Sequence, residues 1–211
     1  YSAANFIFHA GNTSAASYFG LTMGSAELIS AFGNKELQET YMTKMLAGEW
    51  QGTMALTEPH AGSSLGDIYT AASPVGDGSY KIKGQKIFIS AGDHNCVENV
   101  VHLMLAKIDG APAGSKGISL FVVPKHRPEN GSLTPNDVFT AGFEAKMGMK
   151  GCPVMHLVMG DNDNCLGWLV GEPNQGLKYM FQMMNGARIS VGMMSSALSS
   201  AAYYASLEYA N

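Results

Sequence analysis

The residues best equipped for chemistry are gathered in Met54-Ala55-Leu56-Thr57-Glu58-Pro59-His60-Ala61-Gly62-Ser63-Ser64, a short apolar strand running into a polar turn. Met54 and Leu56 alternate with smaller neighbours as a half-buried strand would. Pro59 and Gly62 then stop regular pairing and leave backbone N–H groups free to bond a ligand. A second stretch, Gly84-Gln85-Lys86-Ile87-Phe88-Ile89-Ser90-Ala91-Gly92, ends a strand in Ser-x-Gly and carries an aromatic side chain placed to lie against a flat ring. The turn of the first stretch is a place to hold a ligand, and the aromatic of the second could lie against a flat ring. A strand end whose Thr57-Glu58 caps a turn, and a Phe88 packed in the core, would account for the same residues.

Other chemistries find less support. The six histidines (His9, His60, His94, His102, His126 and His156) show no ligand spacing and read as surface or structural residues. Cys96, Cys152 and Cys165 are an odd set with no CxxC pair, which points to a reducing compartment and away from a disulfide framework or a zinc site. We therefore expect a protein of such a compartment, cytoplasmic or of a matrix. The chain has 211 residues, 46% hydrophobic and 14% charged, with net charge −4 and no long basic run, which gives nucleic-acid or membrane-surface binding little electrostatic support. The longest apolar runs, near 100–105 and 118–123, fall well short of the ~20 residues of a membrane span. There is no G-x-G-x-x-G, G-x-x-x-x-G-K or G-x-S-x-G.

The elements that must position the two stretches follow from period and punctuation. Leu21, Met23, Leu28, Ile29 and Phe32 predict a buried helix over about 14–32, stopped by Gly33. Asn34 caps a second helix, with Leu37, Tyr41 and Met45 on its inner face and Gly48 ending it. From about residue 51 the period falls to 2, and strands are expected at 70–74, 80–82, 86–90, 100–108, 118–124 and 154–159, with a long loop over 123–139. Gly76-Asp77-Gly78 is a hairpin signal. Many short strands without intervening helices predict an antiparallel barrel or sandwich. From Leu177 apolar residues recur every three or four positions to the chain end, predicting one long helix from about 175. On it Met184, Arg188 and Val191 share a face, and a charge on an apolar stripe demands an anionic partner, either a ligand or a carboxylate from elsewhere in the protein. The Met180, Met183, Met184, Met193 and Met194 cluster reads as core filler ahead of a pliable pocket. The class is α+β: N-terminal helices, a β-barrel or sandwich, and the start of a C-terminal helical bundle. Because the chain begins at Tyr1 and ends inside a helical pattern, we expect a piece of a longer polypeptide.

Taken together, Thr-Glu-Pro-x-Ala-Gly-Ser followed by Gly-x-Lys-x-(Trp/Phe)-Ile-(Thr/Ser)-x-Gly resembles the flavin-binding signature of the acyl-CoA dehydrogenases. The resemblance covers essentially the whole chain. It implies the end of a helical domain over 1–50, a flavin- and acyl-CoA-binding β domain over 51–172 and the first helix of a second helical domain over 173–211. It implies FAD as cofactor, contacted by Met54, Ala55, Leu56, Thr57, Gly62, Phe88, Ile89 and Ser90, with Thr57 near flavin N5. Ser63, Asn185 and Arg188 are implied contacts of the acyl-CoA substrate; Asn185 stands where many relatives carry an acid. The implied reaction is α,β-dehydrogenation of an acyl-CoA thioester, with a glutamate base expected beyond Asn211, so that no residue here is assigned as catalytic. An electron-accepting flavoprotein and a homodimer or homotetramer are the implied partners. Thr57-Glu58-Pro59-His60-Ala61-Gly62-Ser63 with Lys146-Met147-Gly148 looks most like the larger bacterial branch that includes 3-methylmercaptopropionyl-CoA dehydrogenases. An acyl-CoA oxidase or nitroalkane-oxidase-like enzyme on the same scaffold, or an inactive flavin-binding relative, are the alternatives.

Overall fold

The computed structural model describes residues 2–211. Helix α1 spans Ser2–Phe32, starting earlier than the apolar pattern indicates. It kinks at Asn12, whose backbone leaves the helical region (φ −155, ψ 93). The Asn12 side chain then accepts a bond from the Ala15 N–H at 3.1 Å, recapping the helix. Asn34 caps the next helical stretch by accepting from the Leu37 N–H at 2.9 Å. That stretch runs as α2 (Lys35–Leu37), a π-helical turn (Gln38–Met42) and α3 (Thr43–Leu46). Leu37, Tyr41 and Met45 are all buried, as their spacing requires.

Ten strands follow: β1 (Trp50–Ala55), β2 (Ala71–Pro74), β3 (Ser79–Ser90), β4 (Asn99–Ile108), β5 (Ile118–Pro124), β6 (His126–Glu129), β7 (Ser132–Pro135), β8 (Val138–Phe143), β9 (Val154–Met159) and β10 (Leu166–Leu169). Pairing runs β4-β5-β10-β3-β2 and back to β4, which closes a barrel. β9 and β8 extend from the second half of β3. The Gly76-Asp77-Gly78 hairpin is present, with both glycines at positive φ and β2 paired antiparallel to β3. Most pairings are antiparallel, but β1 and β2 both lie parallel to β4. The crossover from β1 to β4 is built of strands, turns and one short 3-10 stretch (Leu65–Asp67) instead of an α-helix, so a short-strand pattern does not reveal it. The expected loop over 123–139 is largely structured. It holds the β6–β7 hairpin, turned at Asn130 (φ 51) and Gly131 (φ 77), and the start of β8. The two strands expected at 80–82 and 86–90 are one strand, β3.

Alternate residues of β4 serve two cores. Val101, Leu103 and Leu105 join Leu28, Ile29, Tyr41 and Met180 in a layer between helices and sheet. Met104 and Ala106 join Ala55, Ile82, Phe121 and Leu157 inside the barrel. Buried on both faces, β4 reads as a nearly unbroken apolar run. Helix α4 (Gly176–Ala210) enters against β5 so closely that a Cβ on Gly176 would stand 2.3 Å from the Ser119 carbonyl carbon. It then packs on α1, where a Cβ on Gly24 would stand 2.9 Å from the Met183 side chain. Among the described residues no helix is long and apolar enough to cross a membrane.

Candidate functional site

Strand β1 delivers the first motif. Its side chains alternate, so that Ala55 is buried in the barrel while Met54 and Leu56 pack against the helix-side core. The turn beyond is closed by two backbone bonds between Glu58 and Ala61, of 2.9 and 3.0 Å. Glu58 is the surprise. It is 3% exposed, and its carboxylate accepts from the Tyr69 N–H (2.6 Å), the Thr70 N–H (3.1 Å), the Thr70 hydroxyl (2.5 Å) and the Lys86 ammonium (2.8 Å). Burial pulls its pKa upward, but the Lys86 charge and these bonds outweigh burial and hold it below the usual carboxylate range. With its oxygens committed in this way, Glu58 is not available as a base.

Lys86 is fully buried and also donates to the Leu56 carbonyl at 3.0 Å. Burial carries its pKa down to about 8, with Glu58 opposing the shift, so the ammonium is still charged at neutral pH. The pair was not legible as a pair. The signal was there, since Ile82 and Lys86 both fall on the inward side of β3 and an inward lysine demands an anion.

The second motif is tied directly to the first: the Ile87 N–H donates to the Thr57 carbonyl at 2.9 Å. Between Lys86 and Ile89 the β3–β9 register shifts through a bulge. At the bulge Phe88 adopts φ +59, a left-handed conformation that costs a non-glycine residue roughly 1–2 kcal/mol. Its ring is 57% exposed, so core packing is not what it does. Ile89 turns into the barrel core and Ser90 is half-buried. Ala91, also left-handed, donates its N–H to the Pro153 carbonyl at 2.7 Å.

Ser90 forms part of the wall of a cavity of about 780 Å³ between α1, α4 and the 146–154 segment. Gly20 and Gly24 of α1 and Ala187 of α4 leave it room, and Met183, Met193 and Met194 line it, so three of the methionines expected as filler face the cavity. Met180 is core as expected. Glu27 is the one carboxylate in the wall. Ser63 and Gly62 are exposed at the first turn. Asn185 and Arg188 lie on α4 outside the cavity lining; Arg188 is exposed and its guanidinium donates to the Asn185 side-chain oxygen at 2.9 Å. No carboxylate pairs with Arg188 among the described residues, which leaves its charge available. The described residues contain no group of side chains able to hold a metal ion.

Of the six histidines read as surface or structural, His102 is a buried structural one. Inside the barrel beside β1, it places Nδ1 2.7 Å from the Thr53 hydroxyl and leaves Nε2 without a partner.

Residues 53–162, from β1 through β9 and including both motifs, match the family model described as acyl-CoA dehydrogenase, middle domain. The chain belongs to the acyl-CoA dehydrogenase family. Within that family it is 47% identical over 197 residues to a butyryl-CoA dehydrogenase of Syntrophomonas wolfei, covering 90% of this chain and 32% of the relative. It is 43% identical over 192 residues to the 3-methylmercaptopropionyl-CoA dehydrogenase of Ruegeria pomeroyi, covering 90% and 32%. The solved butyryl-CoA dehydrogenase of Megasphaera elsdenii superposes with a TM-score of 0.80 at 26% identity, over 99% of this chain and 51% of that one. The chain spans about a third of the length of these curated acyl-CoA dehydrogenases.

Proposed function

We propose that this chain is the flavin-facing part of an FAD-dependent acyl-CoA dehydrogenase that converts an acyl-CoA thioester to its 2-enoyl-CoA. The observation that carries the reading is the junction of the two motifs. Thr57 and Ile87 share a backbone bond, the next residue presents an exposed aromatic ring, and Ser90 two residues on opens onto the cavity. These residues fit an isoalloxazine: a hydroxyl at Thr57, a flat face at Phe88 and a second hydroxyl at Ser90. When bound, FAD supplies the two-electron acceptor, taking the substrate β-hydrogen as hydride while a carboxylate removes the α-proton.

The chain's own residues bind and orient. Thr57 and Ser90 donate hydrogen bonds, Phe88 covers a ring face and Gly62 admits close backbone approach. Ala55 and Ile89 have their side chains in the barrel, so their contribution is backbone, while Met54 and Leu56 floor the site from the helix-side core. The methionine-lined cavity takes the acyl chain and excludes water from it. Ser63 faces the thioester side, and Arg188, steadied by Asn185, meets the anionic CoA moiety. The base lies beyond Asn211, in a second helical domain that α4 opens; we read 1–50, 51–172 and 173–211 as parts of three domains. An electron-transferring flavoprotein is the proposed acceptor, and a dimer or tetramer the proposed assembly.

The test is the full-length protein. It should purify yellow with FAD and be bleached anaerobically by acyl-CoA but not by NADPH, and Thr57→Ala should slow the bleaching. A colourless protein that takes up no FAD would refute the reading. Glu27→Gln should change turnover only a few-fold; a loss of ~10²–10⁴, the usual cost of removing a general base, would instead make Glu27 the base.

A further inference from the structure

Thr57 is gripped from both sides by one buried lysine. Lys86 donates to the carbonyl of Leu56, the residue before Thr57, and to the carboxylate of Glu58, the residue after it. The next residue on the lysine's own strand, Ile87, bonds the Thr57 carbonyl, and the one after that is the left-handed Phe88. Glu58 is anchored in turn to Tyr69 and Thr70, immediately before β2. Thr57 thus sits between two residues held by Lys86 and is itself held through its carbonyl by Ile87.

We infer that Lys86 and Glu58 are positioning residues: the buried pair locks the Leu56–Glu58 backbone against β3 and thereby sets the separation and orientation of the Thr57 hydroxyl and the Phe88 ring. The inference rests on the proposed function, in which those two groups meet the flavin. Any buried ammonium needs acceptors for its three N–H donors, but here both acceptors belong to the residues that flank Thr57, and replacing a buried pair by well-packed apolar residues is often close to neutral for stability. A clamp, in contrast, loses its purpose when either bond goes.

Three forms of the full-length protein decide it: wild type, Lys86→Met, and the double variant Lys86→Met/Glu58→Gln, which removes both charges so that no buried carboxylate is stranded. In the apoproteins, amide hydrogen exchange over 56–62 and 87–90 should quicken about tenfold or more in the double variant, as expected for a lost charge-assisted hydrogen bond, with the rest of the barrel unchanged. FAD dissociation constants should rise by about the same factor, and the visible spectrum of any bound flavin should shift. If Lys86→Met does not fold, the double variant carries the test. A folded double variant with wild-type exchange, FAD affinity and flavin spectrum would overturn the inference. So would global unfolding of both variants, which would make the pair a general stability element. A wild-type protein that binds no FAD, yet shows the local exchange effect in the variants, would sink the proposed function and leave the clamp standing.

Discussion

Lowering the pH should destabilise this fold most strongly through His102, with His94 and His126, whose pKa values burial also lowers, acting in the same direction. His102 lies wholly inside the barrel, and burial pushes its pKa down from 6.5 to about 4, with Asp93 opposing the shift and Lys125 adding to it. An unfolded chain takes up the proton near pH 6.5, whereas the folded one refuses it until about pH 4. The unfolded state therefore binds more protons in that window. The stabilisation is fully present above pH 6.5 and is lost as pH falls through 4. At 1.36 kcal/mol per pKa unit the whole effect is about 3 kcal/mol, and the part lost between pH 6.5 and 5 is about 2 kcal/mol. With a urea slope of about 2 kcal/mol/M for a chain of this size, that is a fall of about 1 M in the unfolding midpoint. The geometry reinforces the direction: an imidazolium carries an N–H on both ring nitrogens, and buried Nε2 has no acceptor for its own. The assay is urea unfolding followed by Trp50 and Trp168 fluorescence at pH 6.5 and 5, in wild type and in His102→Asn. The variant keeps a polar group near Thr53 but has nothing to titrate. Its midpoint should fall by about 1 M less than that of wild type, whatever its absolute stability. Equal falls in the two proteins would refute the reasoning, as would a His102 ring seen by NMR to titrate near 6.5.

Three substitutions test other parts of the structure. Phe88→Gly should leave stability unchanged or raise it by about 1 kcal/mol, because it relieves a left-handed backbone and removes a mostly exposed ring; a loss beyond about 1 kcal/mol in urea unfolding would mean that the ring is packed. Gly176→Ala should cost about 1–3 kcal/mol or more in the same measurement, since its Cβ meets the β5 backbone at 2.3 Å and backbone cannot step aside as a side chain can. Gly20→Leu should gain about 1 kcal/mol of helix propensity, because a Cβ there meets nothing within 4 Å. If the cavity takes the acyl chain as proposed, the same change in the full-length protein should lower kcat/KM for long acyl-CoAs about tenfold relative to short ones by occupying the cavity; an unaltered chain-length profile would place the acyl chain elsewhere.

Much of the architecture was legible because it depends on local rules. The Asn34 cap, the Leu37-Tyr41-Met45 face, the Gly76-Asp77-Gly78 hairpin and the start of α4 all follow from residues within a turn or two of each other. The Asn130-Gly131 hairpin was equally local: two left-handed residues between short strands are what a type I′ turn requires, though the surrounding sequence read as loop. The two motifs, and with them the family, were likewise readable along the chain. What the pattern did not carry was any pairing across the fold. The parallel β1–β4 contact, the closure of the barrel through β2 and the backbone bond from Ile87 to Thr57 join residues far apart in sequence.

The same division runs through the site. Residue type and spacing along the chain marked which residues could meet a ligand, because hydroxyls, aromatics and glycines announce themselves in one dimension, and the family resemblance named a flavin and an acyl-CoA for them. Only the tertiary structure decided what each is free to do. It saturated Glu58 with four donors, set buried Lys86 in direct contact with it, pushed Phe88 outward on a bulge and turned Ile89 inward, and placed Glu27 and three of the methionines around one cavity. The physical reason is that availability, unlike identity, is fixed by partners and burial. Both are supplied by segments that meet only when the barrel closes and the two long helices pack across it.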